Sequence, residues 1–381
     1  MTVSGSLPIG RRLSGMERLW LVSDRAHSPF VNQMVLEGEG YPVPPRPWAE
    51  ISNAIAAAQP SARARLHGWL VRSCWAADGP LPALRELEAP DWDGQGPEGA
   101  PFLATRLDPS TGPTCEMLIV KGPPTRIIVR THHALMDGQG TLLLARALFA
   151  ALRGEELPRA VLGPTNDATL MRELGVGAER LLPADSAAPQ GSADGEEMRV
   201  TWMRRRVEGR FSALLPRVAL ALARWHPLPE GYSFRIAVPV DLRRHSPGLS
   251  SSANLTGLLR LDVAEHLRAA DPLQSLAAGF GEGIAQREVG GVVVASEFAR
   301  FLPISFMAWF ARWGAKQALR QGRYGPSAIL SNLGKLPLEE YSGAGFSMSN
   351  PLPKVMITSS NPTSAAWSIA KRTASGLALR T

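Results

Sequence analysis

The strongest chemical signal in the sequence is one heptad, His132-His133-Ala134-Leu135-Met136-Asp137-Gly138, which follows Thr131. Histidine is the side chain suited to proton transfer near neutral pH, and a loop between a strand and a helix both fixes and exposes it. Adjacent residues at a strand end point to opposite faces, so His132 and His133 do not share one metal ion, and one of them can face a cleft. Asp137 can hold the loop by pairing with an arginine, and Gly138 lets the backbone turn sharply. The bland alternative is a buried histidine beside a turn Asp-Gly. Nucleophilic catalysis has no good candidate: there is no Gly-x-Ser-x-Gly elbow, and neither Cys74 nor Cys115 has a visible base partner. A base acting directly on an acceptor fits these residues better.

The flanking sequence supplies elements able to position such a base. Residues 115–120 and 126–130 are short runs rich in Ile, Val and Leu around Lys121-Gly122-Pro123-Pro124, a hairpin pattern whose second strand leads into His132-His133. Thr141 is expected to cap an apolar helix that runs to about Arg153 and stops at Gly154. Further on, residues 212–224 read as a helix with Pro216 in its first turn, 234–240 and 255–263 as strands, and Asp271-Pro272 as the start of another helix. The alternation of strands and helices in both halves makes this an α/β chain. Loops are expected at 41–47 and 89–101, and 183–195 is the best linker candidate.

Two regions carry readings of their own. Between Val289 and Arg320, six aromatic residues (Phe298, Phe301, Phe306, Trp309, Phe310 and Trp313) fall largely at three- and four-residue spacings. An amphipathic helix packed on a core is the first expectation, and a greasy tunnel wall or a lipid-touching patch is the second. From about Phe346 the alternating strand-and-turn pattern is lacking, so a shortened, rearranged or partly disordered end is expected.

Composition bounds the rest. The 381 residues suggest about two domains at a prior of roughly 150 each. With 45% hydrophobic and 20% charged residues the chain is globular in composition, not disordered or fibrous. The formal net charge of +7 favours acidic partners, but no basic cluster interleaved with aromatics points to nucleic acid. Two cysteines without ligand spacing argue against a disulfide scaffold or a zinc site, so no metal is expected. The first ten residues lack an apolar core behind a charged start, so a cytoplasmic location is expected. The longest apolar stretch, 301–310, contains Pro303 and is far below the ~20 residues of a membrane-spanning helix.

The heptad resembles the His-His-x-x-x-Asp-Gly signature of the chloramphenicol acetyltransferase-like superfamily, which includes condensation domains of nonribosomal peptide synthetases, polyketide-associated acyltransferases and wax ester synthases. Three further stretches look like landmarks in the same order: Leu13-Ser14-Gly15-Met16-Glu17-Arg18; Val238-Pro239-Val240-Asp241-Leu242-Arg243-Arg244 followed by Asn254-Leu255; and Ser331-Asn332-Leu333-Gly334. The chain is shorter than a typical condensation domain and lacks the Asp-Phe-Gly-x-Gly element of some relatives.

The resemblance implies two similar α/β halves, each a mostly antiparallel or mixed sheet flanked by helices, arranged as a V with the active site in a central tunnel. On that basis residues 1–182 are the N-terminal subdomain, 183–195 the linker and 196–381 the C-terminal subdomain. It implies His133 as the catalytic residue, acting as general base on the acceptor or stabilising the tetrahedral intermediate, and His132, Asp137, Gly138 and Arg243 as structural residues of the motif, with Arg243 the ion-pair partner of Asp137. Ser331, Asn332 and Gly334 are implied to approach substrate. It also implies no permanently bound cofactor, with the phosphopantetheine arm of a carrier protein, or coenzyme A, expected to carry the acyl group to an amine or alcohol acceptor. The implied activity is a condensation-type acyltransferase of natural-product biosynthesis. A wax ester synthase or acylglycerol-type lipid acyltransferase, and a non-catalytic domain that docks carrier proteins, are the alternatives.

Overall fold

The computed structural model describes residues 10–163, 165–176, 184–187, 202–205, 211–225, 228–289, 296–334, 336–349, 355–359 and 366–369. The first half runs β1 (Gly10–Arg12), α1 (Gly15–Ala26), β2 (Val31–Glu39), α2 (Trp48–Ala58), β3 (Arg65–His67), β4 (Cys74–Ala76) and β5 (Ala83–Glu88). It continues with β6 (Cys115–Lys121), β7 (Thr125–His132), α3 (Gly138–Arg153) and α4 (Asp167–Glu173). The second half holds β8 (Trp202–Arg205), α5 (Leu214–Trp225), β9 (Arg235–Asp241), β10 (Thr256–Asp262), α6 (Val263–His266) and α7 (Pro272–Ala285). After these come α8 (Ile304–Gln321), β11 (Ala328–Asn332), β12 (Ser347–Met348), β13 (Val355–Ser359) and β14 (Ala366–Ile369).

Each half is built on one mixed, largely antiparallel sheet flanked by helices. The first has the strand order β12-β2-β7-β6-β5, and the second β10-β9-β11-β13-β14-β8. A small sheet, β1-β4-β3, lies beside the first. The β6–β7 hairpin pairs in register, with Cys115 opposite Thr131, and every residue of β7 is buried. A fully buried central strand reads as a continuous apolar run, which is why residues 126–130 stood out in sequence. Two buried arginines, Arg126 and Arg130, bound that run, and both find carboxylates. Arg126 Nε donates to Glu37 at 2.9 Å, and Arg130 pairs with Glu116 while donating to the Leu103 carbonyl at 3.0 Å.

Asp137, not Thr141, caps α3: its side chain accepts from the Gly140 N–H at 2.8 Å. The helix therefore begins inside the heptad. Thr141 sits in the first turn, where its hydroxyl donates to the Asp137 carbonyl at 2.9 Å. Gly154, in the left-handed region at φ 72°, ends the helix. In the second half Asp271 caps α7 with Pro272 following it.

Two features depart from the sequence expectations, and the cores add a third observation. The end of the chain forms β12, β13 and β14; β12 crosses to the first sheet and pairs with β2, Met348 opposite Gly38. These strands are only two to five residues long, too short for alternation to show. Second, α8 is not packed on a core by its aromatic residues: among its residues only Ala308 is fully buried. Third, the two main core clusters do not follow chain order, because Met16 and the α4 residues Ala168, Leu170 and Met171 belong to the second cluster. Of residues 183–195, the linker candidate of the sequence, only 184–187 fall among the described residues; there Ser186 exchanges main-chain hydrogen bonds with Tyr324.

A buried acid group braces the start of α1. Ser14 and Glu17 form a reciprocal cap, and Arg11 grips Glu17 with two hydrogen bonds of 2.8 and 2.5 Å. Asp167, at the start of α4, is buried against this group, and burial together with the Glu17 charge pushes its carboxyl up to about 7. A carboxyl whose pKa is raised by folding binds its proton more tightly in the folded state. Stability therefore falls as pH rises from the ordinary value of 3.8 towards about 7. Asp167→Asn is expected to remove that loss, so its stability relative to wild type in urea denaturation rises between pH 4.5 and 7, at up to ~1.4 kcal/mol per pH unit, and levels off above. Parallel pH profiles for the two proteins would contradict this placement of the proton.

Candidate active site

His132 ends β7 and turns inward, fully buried. Its Nδ1 accepts from the Ala134 N–H at 3.2 Å, and its Nε2 lies 3.8 Å from the carboxylate of Asp24 in α1. Asp24 also accepts from the Phe30 N–H at 3.1 Å and from Arg106 at 2.8 Å. Burial opposes its charge, but the contacts with His132, Phe30 and Arg106 hold it down at about 2. His132 thus belongs to the wall between β7 and α1 rather than to an open cleft.

His133 points the other way and stays partly exposed. Its ring lies nearly parallel to two aromatic rings, Trp20 at 4.8 Å and Phe30 at 5.2 Å between centroids, and those two are 5.5 Å apart. Its N–H donates to the Phe30 carbonyl at 3.2 Å. From the second half, the Asn254 amide donates to the His133 carbonyl at 2.8 Å and lies 3.3 Å from Nδ1. His133 Nε2 has no hydrogen-bond partner among the described residues. Burial is the main influence on the imidazole and holds it below the usual value of 6.5, so it is neutral at pH 7. A neutral, oriented imidazole with a free ring nitrogen is a competent proton acceptor.

The backbone that presents His133 is held from the second half. Arg243, in the turn after β9, places Nη1 3.0 Å from Asp137 Oδ2 and Nη2 3.2 Å from Oδ1. The same carboxylate accepts from the Leu255 N–H at 2.8 Å and the Thr256 hydroxyl at 3.1 Å. Arg243 in turn donates to the carbonyls of Ser251, at 2.7 Å, and Ala253, and to Asp241 at 2.7 Å. Burial works against the Asp137 charge, but the Arg243 cation and the Gly140 and Leu255 N–H groups overcome it and keep the carboxyl below its ordinary range. Gly140 is required here: a Cβ would lie 2.1 Å from the Ser252 carbonyl oxygen, so any other residue would push the halves apart.

Gly138 opens α3, and a Cβ there would meet the Leu333 side chain at 2.9 Å. The stretch Ser331-Asn332-Leu333-Gly334 thus abuts the motif. Asn332 is exposed, and its Oδ1 accepts from the Gly334 N–H at 2.9 Å. Cys115 is buried and its thiol is pushed up to about 12, so it offers no nucleophile. Among the described residues no group of three His, Cys, Asp or Glu side chains is arranged to hold a metal, and no helix is long and apolar enough to cross a membrane.

Sequence reasoning gave no role to Trp20, Phe30 or Asn254. Asn254 lies in a landmark stretch, which was a signal without an assigned contact. Trp20 and Phe30 are isolated aromatics on α1 and ahead of β2, and nothing in their spacing announces that they meet a histidine more than 100 residues away.

No family model matches the sequence, and no curated protein matches it. Solved structures do. The condensation domain of the Monacolin K polyketide synthase MokA is 13% identical, with 94% of this chain and 88% of that chain covered and a TM-score of 0.51. The tallysomycin biosynthesis protein TlmII is 16% identical, covering 86% of this chain and 91% of that one at a TM-score of 0.49. The first condensation domain of the CDA synthetase is 16% identical over 74% of this chain and 80% of that chain, with a TM-score of 0.48. The chain has the chloramphenicol acetyltransferase-like fold of condensation domains.

Removing Arg243 would leave the Asp137 charge buried without its cation. Arg243→Met is expected to cost about 3–5 kcal/mol in chemical denaturation. Asp137→Asn combined with Arg243→Met should cost less than the two single losses added together, because no lone charge remains. Additive losses would mean that the pair does not couple the halves.

Proposed function

We propose that this chain is a condensation-type acyltransferase that moves an acyl group from a thioester to an amine or hydroxyl, with His133 as the base. The observation that carries this reading is a neutral histidine, partly open to solvent, held by rings and an amide from both halves. The acceptor N–H or O–H gives its proton to His133 Nε2 as its lone pair attacks the thioester carbonyl. The tetrahedral intermediate collapses by breaking the C–S bond, and the proton passes to the departing thiolate. The products are an amide or ester and a free thiol. A thiolate is a good leaving group, so position and deprotonation are most of what the protein must supply.

The other motif residues act by placement. His132, Gly138, Asp137 and Arg243 keep the loop in shape, and Ser331, Asn332 and Gly334 form the second-half side of the substrate path. The Gly334 N–H is spent on Asn332, which makes the Asn332 side-chain amide the better donor to a developing oxyanion on this stretch. The donor handle is the phosphopantetheine arm of a carrier protein or coenzyme A, consistent with the net charge of +7.

The test is intact-mass spectrometry of carrier-protein and coenzyme A thioesters incubated with amines and alcohols. His133→Ala is expected to lower acyl transfer by about 10²-fold or more while circular dichroism stays unchanged. For the wild type, the acid limb of kcat/KM should fall below 6.5, since burial lowers the imidazole from that value. Near wild-type transfer by the variant, or an acid limb above 6.5, would overturn the role of His133.

A further inference from the structure

One surface feature lies outside the candidate active site. Phe298, Phe301, Phe306, Trp309, Phe310 and Trp313 are each between 50% and 79% exposed. Six large aromatics in 16 consecutive positions form an outward apolar patch of a kind that marks an interaction surface. On α8 the four from Phe306 to Trp313 follow the three- and four-residue spacing of one helix face. Phe306 and Trp309 rings are 6.2 Å apart, and Phe310 and Trp313 5.5 Å.

The patch is braced from beneath. Arg18, buried in α1, donates from Nε to the Ala299 carbonyl at 2.9 Å, from Nη2 to the Leu302 carbonyl at 2.7 Å, and from Nη1 to Ser73 at 2.8 Å. Gly15 approaches so closely that a Cβ would lie 2.1 Å from the Ser296 carbonyl oxygen. The α1 N-terminal N–H of Gly15 donates to Glu297 at 2.8 Å, and Glu297 also pairs with Arg300 at 2.9 Å. With its backbone fixed in this way, the segment holds its aromatic side chains outward on a rigid base.

The charges around the patch select the occupant. Helix α8 contains Arg312, Lys316 and Arg320 and no acidic residue. Lys316 and Arg320 continue the stripe of Trp309 and Trp313 at the same helical spacing, and both are exposed. We infer that this face of α8, with Phe298 and Phe301, docks on an anionic lipid bilayer. Its aromatic rings enter the headgroup and acyl boundary, and Lys316 and Arg320 meet lipid phosphates. The patch is the convex outside of a helix, a shape that suits a planar surface. On its inner side α8 packs on α1, the helix that places Trp20 against His133, so the docked face lies one helix away from the candidate site. The inference does not rest on the proposed reaction.

Co-sedimentation with phosphatidylcholine vesicles, with and without about one quarter phosphatidylglycerol, tests it. The wild type should pellet with the anionic vesicles and be released by high salt. Phe306→Ser, Trp309→Ser, Phe310→Ser and Trp313→Ser combined should weaken that partition by about tenfold or more. Lys316→Glu with Arg320→Glu should weaken binding only to the anionic vesicles. Circular dichroism of each variant checks that the fold is kept. Equal binding by wild type and the aromatic variant would overturn the inference, as would absence of wild-type binding. If instead light scattering shows a wild-type dimer that the aromatic variant splits into monomers, without vesicle binding, the face belongs to a second copy of this chain.

Discussion

A carboxylate buried between two sheets stays charged only if a cation and hydrogen-bond donors surround it, and Asp137 meets that condition with groups drawn from both halves. One oxygen caps α3 through Gly140; the other takes the Leu255 N–H; Arg243 spans both. The position of α3, the turn that displays His133, and the approach of the 251–256 segment are consequences of that one set of bonds. Gly140 belongs to the same constraint, because the Ser252 carbonyl occupies the space of a side chain. With so many partners assigned, few other packings of the halves leave this buried charge satisfied.

The second level of organisation is aromatic. Trp20 packs against both main core clusters and also stacks on His133. The imidazole therefore sits where the two cores converge, which dries it enough to keep it neutral, while its own partial exposure leaves a path to solvent. Asn254, whose N–H reaches the Leu135 carbonyl at 3.0 Å as its side chain reaches His133, ties the same point to the second half. One helix, α1, serves three duties: Asp24 steadies His132, Trp20 stacks on His133, and Arg18 fixes the base of the aromatic patch.

The elements nearest the motif were legible in sequence because their signals are local. The hairpin of β6 and β7 showed as two apolar runs around a turn, α3 as an apolar stretch stopped by glycine, and α7 as Asp-Pro. The cap of α3 was not legible, since Asp137 and Thr141 are both good capping residues and the choice depends on the loop that Arg243 holds. The strands beyond Phe346 were missed because each is short and its partners lie far away in sequence. The aromatics of α8 left two expectations open, a core face first and a tunnel wall or lipid-touching patch second, since periodicity identifies a face but not what covers it. Here the small side of the helix, at Ala308, is the buried one.

By itself the sequence determined the residue types able to move a proton, the absence of a serine elbow around any alternative nucleophile, and the alternation of strands and helices that makes an α/β chain. It also named His132, His133, Asp137 and Arg243, because a motif and its landmark are written in contiguous residues. Only the tertiary structure decided which histidine faces solvent, that Trp20, Phe30 and Asn254 surround it, and that Leu333 seats its stretch against Gly138. It likewise decided that six aromatics stand outside the core. These contacts join residues separated by tens to hundreds of positions, and they arise from burial, which depends on how the two sheets and α1 pack and has no local signature in the chain.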